Sequence, residues 1–135
     1  MSKKYGLTLK SSYEECERAL DMIEDIDRDF NLDEDLKSKL QLVLSEAVTN
    51  GILHGNKLDI NKTVEVKANV SAEENRILLT VADQGEGFDF QKRTNPLSEE
   101  NLLKTGGRGL FIIEELADNV QFKDEGRKII IIFRL

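Results

Sequence analysis

Near its middle the chain reads Leu42-Val43-Leu44-Ser45-Glu46-Ala47-Val48-Thr49-Asn50, a stretch that joins an apolar helical pattern to an acid and an amide four residues apart. The pattern predicts a helix that begins after an N-cap at Asp33 and ends near Gly55. Glu46 and Asn50 then leave one face of that helix, a single turn apart. An amide oxygen there can hold Mg²⁺ while the carboxylate orients or deprotonates a nucleophile. An isolated pair of this kind is more often two solvated side chains, but here both residues border a buried stripe.

Two glycine-rich blocks follow later in the sequence. Asp83-Gln84-Gly85-Glu86-Gly87 comes after an apolar strand pattern, and Gly106-Gly107-Arg108-Gly109 precedes a helix that starts with Leu110. A carboxylate at a strand end can accept a hydrogen bond from an exocyclic amine, and glycines let a backbone approach a flat base. The amides in the first turn of a helix attract phosphate. Together the three blocks predict a site for a purine nucleotide with a hard metal ion.

Two common nucleotide motifs are excluded. The chain contains no Gly-Lys-Ser or Gly-Lys-Thr, so it has no P-loop. A dinucleotide fingerprint would need a third glycine after Gly85 and Gly87, but that position is Phe90 and the next residues predict a loop. This polar stretch, Phe88 to Thr105, is long enough to form a binding loop or a lid.

The order of the predicted elements indicates a two-layer α/β sandwich formed by a single domain, residues 1–135. We expect an edge strand, two helices, a hairpin, the long loop, a helix and a second hairpin. Alternation from Val64 to Val70 predicts a strand with one solvated face, whereas Ile129 to Phe133 is apolar on both sides and predicts an interior strand. The sheet is expected to be mixed and mostly antiparallel, with the helices on one face.

Composition narrows the classes of partner. The chain has 26 Asp and Glu against 19 Lys and Arg, a net charge of -7, which argues against nucleic-acid binding. Its longest apolar run, Ile129 to Phe133, is too short to cross a bilayer, so we expect a cytoplasmic protein with no membrane partner. Cys16 is expected to be a small buried residue. His54 has no partner for a zinc site and is expected to be structural, with a partly cationic imidazole near a helix C-terminus.

Taken in order, the three blocks resemble the N-box and the two glycine boxes of the GHKL (histidine-kinase-like) ATPase superfamily. The helical block is most similar to that of the anti-sigma-factor serine/threonine kinases, and the resemblance extends from Tyr5 to Arg134. It implies a Bergerat-type ATP-binding fold, with ATP and Mg²⁺ as cofactors.

The resemblance also implies a role for each block. Asn50 would coordinate Mg²⁺, Glu46 would be the catalytic base, and Asp83 would receive the adenine amino group. Gly85 and Gly87 would line the base. The residues of the second glycine box that would contact the nucleotide, under a lid formed by the preceding segment, are Thr105, Gly106, Gly107, Arg108, Gly109 and Leu110.

Family members phosphorylate a serine on a small partner of the anti-sigma-antagonist type, many also sequester a sigma factor, and homodimers are common. This chain departs from the family at one position, because an arginine often found before the second glycine box is replaced by Thr105, with Lys104 beside it. Two functions therefore remain open. One is an ATP-dependent protein serine/threonine kinase; the other is a nucleotide-gated module that captures a partner without significant phosphotransfer.

Overall fold

The computed structural model describes residues 1–87 and 107–135. Its helices are α1 (Cys16–Phe30), α2 (Glu34–Thr49) and α3 (Gly107–Leu116). Its strands are β1 (Ser2–Lys10), β2 (Thr63–Ser71), β3 (Arg76–Ala82), β4 (Asn119–Lys123) and β5 (Lys128–Arg134). Three single turns complete the described elements: 3₁₀ turns at Tyr13–Glu15 and Asp124–Gly126, and a π-helical turn at Asn50–Gly55. The predicted order of helices and strands is confirmed, and the predicted long loop lies outside the described residues.

The five strands form one sheet in the order β1-β2-β3-β5-β4, and all four neighbouring pairs are antiparallel. The expected sheet was mixed and mostly antiparallel, and in the described part of the chain every pairing is antiparallel. β5 lies between β3 and β4, as its continuous apolar run predicted. The topology also places the end of β3 beside the start of β5, since Ala82 is paired with Lys128.

The three helices cover one face of this sheet. In β2 the buried residues are Val64, Val66, Ala68 and Val70, and the residues between them are exposed. The buried side chains of α1 and α2 join the inward residues of the strands in one hydrophobic core. Because one face of the sheet is packed and the other solvated, the fold is the predicted two-layer α/β sandwich.

The start of α2 agrees with the sequence, whereas one residue of α1 does not. Asp33 is the N-cap of α2, and its side chain accepts a hydrogen bond from the Asp35 amide. The expectation that Cys16 is buried was wrong: it is the first residue of α1, only partly covered, and its thiol accepts a hydrogen bond from the Thr49 hydroxyl. Its place at the end of the helix leaves it with fewer covering neighbours than Ile23 and Ile26, which are fully buried.

Within residues 1–87 and 107–135, no helix combines the length and apolar character that crossing a bilayer requires.

Candidate functional site

The C-terminal half of α2 and the π-helical turn that follows it bring Glu46 and Asn50 against the first turn of α3. α3 packs on α2, and Gly109 is buried at this contact. A β-carbon built at Gly109 would lie 2.8 Å from Oε2 of Glu46 and 3.1 Å from Nδ2 of Asn50. The helical block and the second glycine box are therefore adjacent in space, as their common assignment to one site requires.

The π-helical turn after α2 carries the chain toward Asp83. The sequence predicted that the helix ends near Gly55, and helical backbone does end there, but its last turn is widened to a π-helix. A β-carbon at Gly55 would lie 2.5 Å and 2.7 Å from the two carboxylate oxygens of Asp83. Gly51 likewise faces Val64 and the Asp83 β-carbon, at 3.3 Å and 3.7 Å from a built β-carbon. Two glycines one turn apart thus let the helix end pack directly on the end of β3.

Asp83 is partly buried and held through its backbone and its side chain. Its amide donates to the Arg127 carbonyl at 2.9 Å, and its Oδ1 accepts the Gly85 amide at 2.8 Å. Burial raises the pKa of this carboxyl, and the Gly85 N–H and the charges of Arg127 and Lys62 oppose that rise. The partly buried carboxylate is therefore an acceptor with one oxygen already engaged in the loop.

At both glycines of the first glycine block, Asp83 to Gly87, an added β-carbon would clash with main-chain atoms. A β-carbon at Gly85 would overlap the Gly55 carbonyl, and one at Gly87 would overlap the Glu125 carbonyl. Gly87 also has φ +82°, in the region that side chains disfavour. Both positions therefore need glycine for reasons of packing within this protein, whatever they contact beyond it.

Asn56 supports the same loop from the side of β2, and no sequence pattern singles it out. Its side chain is buried and donates to the Ser11 hydroxyl at 2.9 Å and the Thr63 carbonyl at 3.0 Å, and its Oδ1 accepts the Gln84 amide at 2.8 Å. An asparagine directly after a helix-ending glycine is typical of an ordinary turn. Its role in joining Ser11, Thr63 and Gln84 is visible only in the folded structure.

Several predicted site residues lie partly or wholly outside the described structure. Thr105, Gly106 and the proposed lid belong to residues 88–106. Gly107 and Arg108 are described only as the backbone that begins α3. The Leu110 side chain is partly buried and packs against the hydrophobic core.

His54 lies in the π-helical turn and is partly buried. Burial lowers the pKa of its imidazole, so the neutral ring is favoured. The direction of this pKa shift is opposite to the one expected for an imidazole beside a helix C-terminus, and its cause is burial.

Residues 1–87 and 107–135 contain no group of three or more His, Cys, Asp or Glu side chains placed to hold a metal ion. Beside Gly109 lie the Glu46 carboxylate on α2 and the Asn50 amide oxygen at the start of the π-helical turn, both hard ligands of the kind Mg²⁺ accepts alongside water and phosphate oxygens. The donor chemistry therefore fits Mg²⁺ bound together with a nucleotide.

Comparison with known proteins identifies the family. Residues 9–133 match the family model described as the histidine kinase-like ATPase domain. The chain is 42% identical over 87 residues to the serine-protein kinase RsbW of Bacillus licheniformis, an alignment that covers 60% of this chain and 53% of that protein. It is 35% identical over 91 residues to RsbW of Bacillus subtilis, covering 63% and 56%. It is 34% identical over 96 residues to the anti-sigma F factor of Clostridium perfringens, covering 67% of each.

These alignments with RsbW span a little over half of the relatives' length. The domain match, in contrast, includes all three blocks and both layers of the sandwich. The chain belongs to the histidine kinase-like ATPase family.

Proposed function

We propose that this protein binds Mg²⁺-ATP and transfers the terminal phosphoryl group to a serine or threonine hydroxyl of a small partner protein. The observation that carries the proposal is the contact of Glu46 and Asn50 with Gly109, which joins an acid, an amide and a helix N-terminus in one place. The similarity to proteins named serine-protein kinase RsbW supports the reaction type.

The base-binding end of the proposed site is built around Asp83. One of its oxygens already accepts the Gly85 amide, and the carboxylate retains further acceptor capacity for an adenine amino group. Guanine presents a carbonyl oxygen at the equivalent position, which a carboxylate repels. ATP is therefore the nucleotide that this end of the site should prefer.

The phosphate end of the proposed site is formed by α2 and the first turn of α3. In a helix the first amides have no partner within the helix, and together with the helix dipole they favour phosphate. α3 begins at Gly107, and Gly109 leaves open the space beside Glu46 and Asn50. Asn50 would contribute its amide oxygen to Mg²⁺, which when bound neutralises charge on the phosphate oxygens.

In the proposed transfer, Glu46 accepts the proton of the partner's hydroxyl group. The hydroxyl oxygen forms a bond to the γ-phosphorus while the bond from that phosphorus to the β,γ-bridging oxygen breaks, and its electron pair leaves with ADP. The carboxylate of Glu46 is partly buried on α2, so its position is defined by the helix. Proton removal and phosphate positioning are thus assigned to residues on two packed helices.

The similarity to these relatives supports a class of partner. We propose a protein substrate of the anti-sigma-antagonist type, and binding of a sigma factor is a further proposal supported by the similarity to the anti-sigma F factor of Clostridium perfringens. A homodimer is proposed on the resemblance alone.

The test is transfer of label from [γ-³²P]ATP to candidate partner domains in the presence of Mg²⁺. Labelled serine or threonine on one cognate domain is expected with the wild-type protein, and transfer about 10²–10⁴-fold slower is expected with Glu46→Gln. If the protein binds ATP and a partner yet no cognate domain is labelled, the kinase proposal fails.

A nucleotide-gated binding module is the second candidate. It is favoured by Thr105, which stands where related kinases often have an arginine. ATP-dependent capture of a partner, measured by sedimentation with ATP and with ADP, is its expected signature. Equal capture with both nucleotides would contradict it.

A further inference from the structure

Arg127 holds the loop that follows β3 from the opposite side to Asn56. It lies between the 3₁₀ turn Asp124–Gly126 and the start of β5. Its Nε donates to the Gly85 carbonyl at 2.7 Å, and one Nη donates to the Glu86 carbonyl at 3.3 Å. Its other Nη donates to the Asp124 carbonyl at 3.2 Å. The guanidinium thus joins two consecutive loop carbonyls to the turn before β5.

The backbone of Arg127 is engaged with the same loop. Its carbonyl accepts the Asp83 amide at 2.9 Å. One residue therefore contacts three of the five residues in the first glycine block, with its main chain at Asp83 and its side chain at Gly85 and Glu86. Loop and turn are connected across 42 positions of sequence between Gly85 and Arg127.

These bonds define the orientation of two peptide planes. A trans peptide is planar and its N–H points opposite to its C=O, so holding the Gly85 and Glu86 carbonyls also orients the Glu86 and Gly87 amides. Without such bonds, a segment with glycine at two of three positions would sample many conformations. A loop held in one conformation before binding loses less entropy when a ligand binds.

Arg127 differs from Asn56 in a way that makes its role separable from folding. Asn56 is buried, and its removal would leave unsatisfied groups inside the protein. The Arg127 side chain is 35% exposed and its one ion-pair partner among the described residues, Glu125, is 81% exposed at 3.7 Å. An ion pair at this distance with one partner largely exposed contributes little to stability. The main contribution of the Arg127 guanidinium is therefore its three hydrogen bonds to backbone carbonyls.

We propose that Arg127 is a positioning residue for nucleotide selection, whose guanidinium holds the Gly85–Gly87 loop in the conformation that places Asp83 for adenine recognition. The inference rests on the proposed ATP site, since it names the residue that orders one end of it. Arg127 acts through Asp83 and the loop, and no contact with the nucleotide is assigned to it.

The experiment compares ATP and GTP affinities, by calorimetry with Mg²⁺, for the wild type, Arg127→Ala and Arg127→Lys. The matched control is Arg76→Ala, which removes an arginine from the other end of β3, where it pairs with Glu74 at 2.8 Å. We expect the ATP-over-GTP preference to fall about tenfold in Arg127→Ala. We expect the same in Arg127→Lys, because a lysine keeps the charge but lacks the planar set of donors that reaches both carbonyls. Arg76→Ala should keep the wild-type preference.

Amide hydrogen exchange of the nucleotide-free protein provides the second measurement. The amides of Asp83 and Gly85, which donate to the Arg127 carbonyl and to Asp83 Oδ1, should exchange about tenfold faster in both Arg127 variants, with the β2 amides unchanged. Because Arg127→Lys retains the charge and most of the side chain, both measurements can be made on it if Arg127→Ala does not fold. Unaltered nucleotide preference in the variants, or recovery of the preference by lysine, would overturn the proposal.

The two proposals fail in different ways. Absence of ATP binding in the wild type and in Arg76→Ala would refute the ATP site itself. Loop exchange that is unchanged by Arg127 substitution would refute the positioning role, whether or not the nucleotide binds.

Discussion

Gly109 on α3 and Glu46 on α2 are so close that a β-carbon on the glycine would lie 2.8 Å from the glutamate Oε2. The atom that such a methyl group meets is the far end of a side chain, which can rotate away. The contact therefore restricts the position of the Glu46 carboxylate, and it restricts the packing of α2 against α3 much less.

Gly109→Ala should lower the rate of phosphotransfer while leaving the stability of the fold nearly unchanged. The methyl group is expected to displace the Glu46 and Asn50 side chains, lowering phosphotransfer by at least about tenfold, while alanine's better helix propensity, worth about 1 kcal/mol, offsets the crowding in stability. Thermal unfolding and a transfer assay measure the two effects. Gly6→Ala is the control, since a β-carbon there meets atoms no nearer than 3.8 Å. A large loss of melting temperature with Gly109→Ala, and none of activity, would contradict this prediction.

Glu46→Gln should remove the base but leave the site assembled. A general base contributes about 10²–10⁴-fold to rate, so transfer should fall by that order while ATP and partner affinities stay near wild type. Single-turnover transfer and calorimetry provide the two readouts. Wild-type transfer in the variant would show that Glu46 is not the base.

Asn50→Ala should abolish the tightening of ATP binding by Mg²⁺. The variant loses an oxygen ligand from a cation with strict octahedral geometry, and the fold should be unaffected because this side chain is only partly buried. ATP affinity is measured with Mg²⁺ and with EDTA. If both values match those of the wild type, Asn50 does not hold the metal.

Asp83→Asn should weaken ATP binding without destabilising the nucleotide-free protein at neutral pH. Burial raises the pKa of Asp83, so the folded state holds this proton more tightly than the unfolded state does. The free energy of unfolding then falls as pH rises from the pKa of the unfolded state, about 3.9, through the raised pKa of the folded state. This deficit in stability persists at higher pH. Asparagine has no such deficit and can still accept the Gly85 amide.

Melting temperatures measured against pH, together with ATP and GTP titrations, test this prediction. Asp83→Asn should melt at or above the wild-type temperature at pH 7, and that advantage should vanish near pH 3. Its preference for ATP over GTP should be lost at every pH. A variant that keeps the preference would remove Asp83 from base recognition.

Gly85→Ala should be destabilising for a reason unrelated to the nucleotide. Its β-carbon would overlap the Gly55 carbonyl, which is backbone and cannot rotate away. Crowding of this kind typically costs about 1–3 kcal/mol. Urea unfolding of the nucleotide-free protein should show that loss, whereas stability equal to wild type would mean that the π-helical turn shifts freely.

The elements of the fold could be predicted because their signals are local. The helical spacing across α2, the alternation in β2 and the continuous apolar run of β5 each reflect how one segment meets solvent. The local signal was weaker at segment ends, where Cys16 proved only partly covered and the last turn of the helix proved to be a π-helix. Covering neighbours and the width of a turn depend on what packs there.

The sequence by itself determined the three blocks, their order and the chemistry of their side chains, which sufficed to indicate a purine-nucleotide site and its family. Only the tertiary structure decided that Gly109 abuts Glu46, that Gly55 packs on Asp83, and that Arg127 holds Gly85. These pairs join segments from about 28 to more than 60 positions apart, brought together by sheet pairing and helix packing. Periodicity records the environment of one segment, and it carries no information about which distant backbone group will be its neighbour.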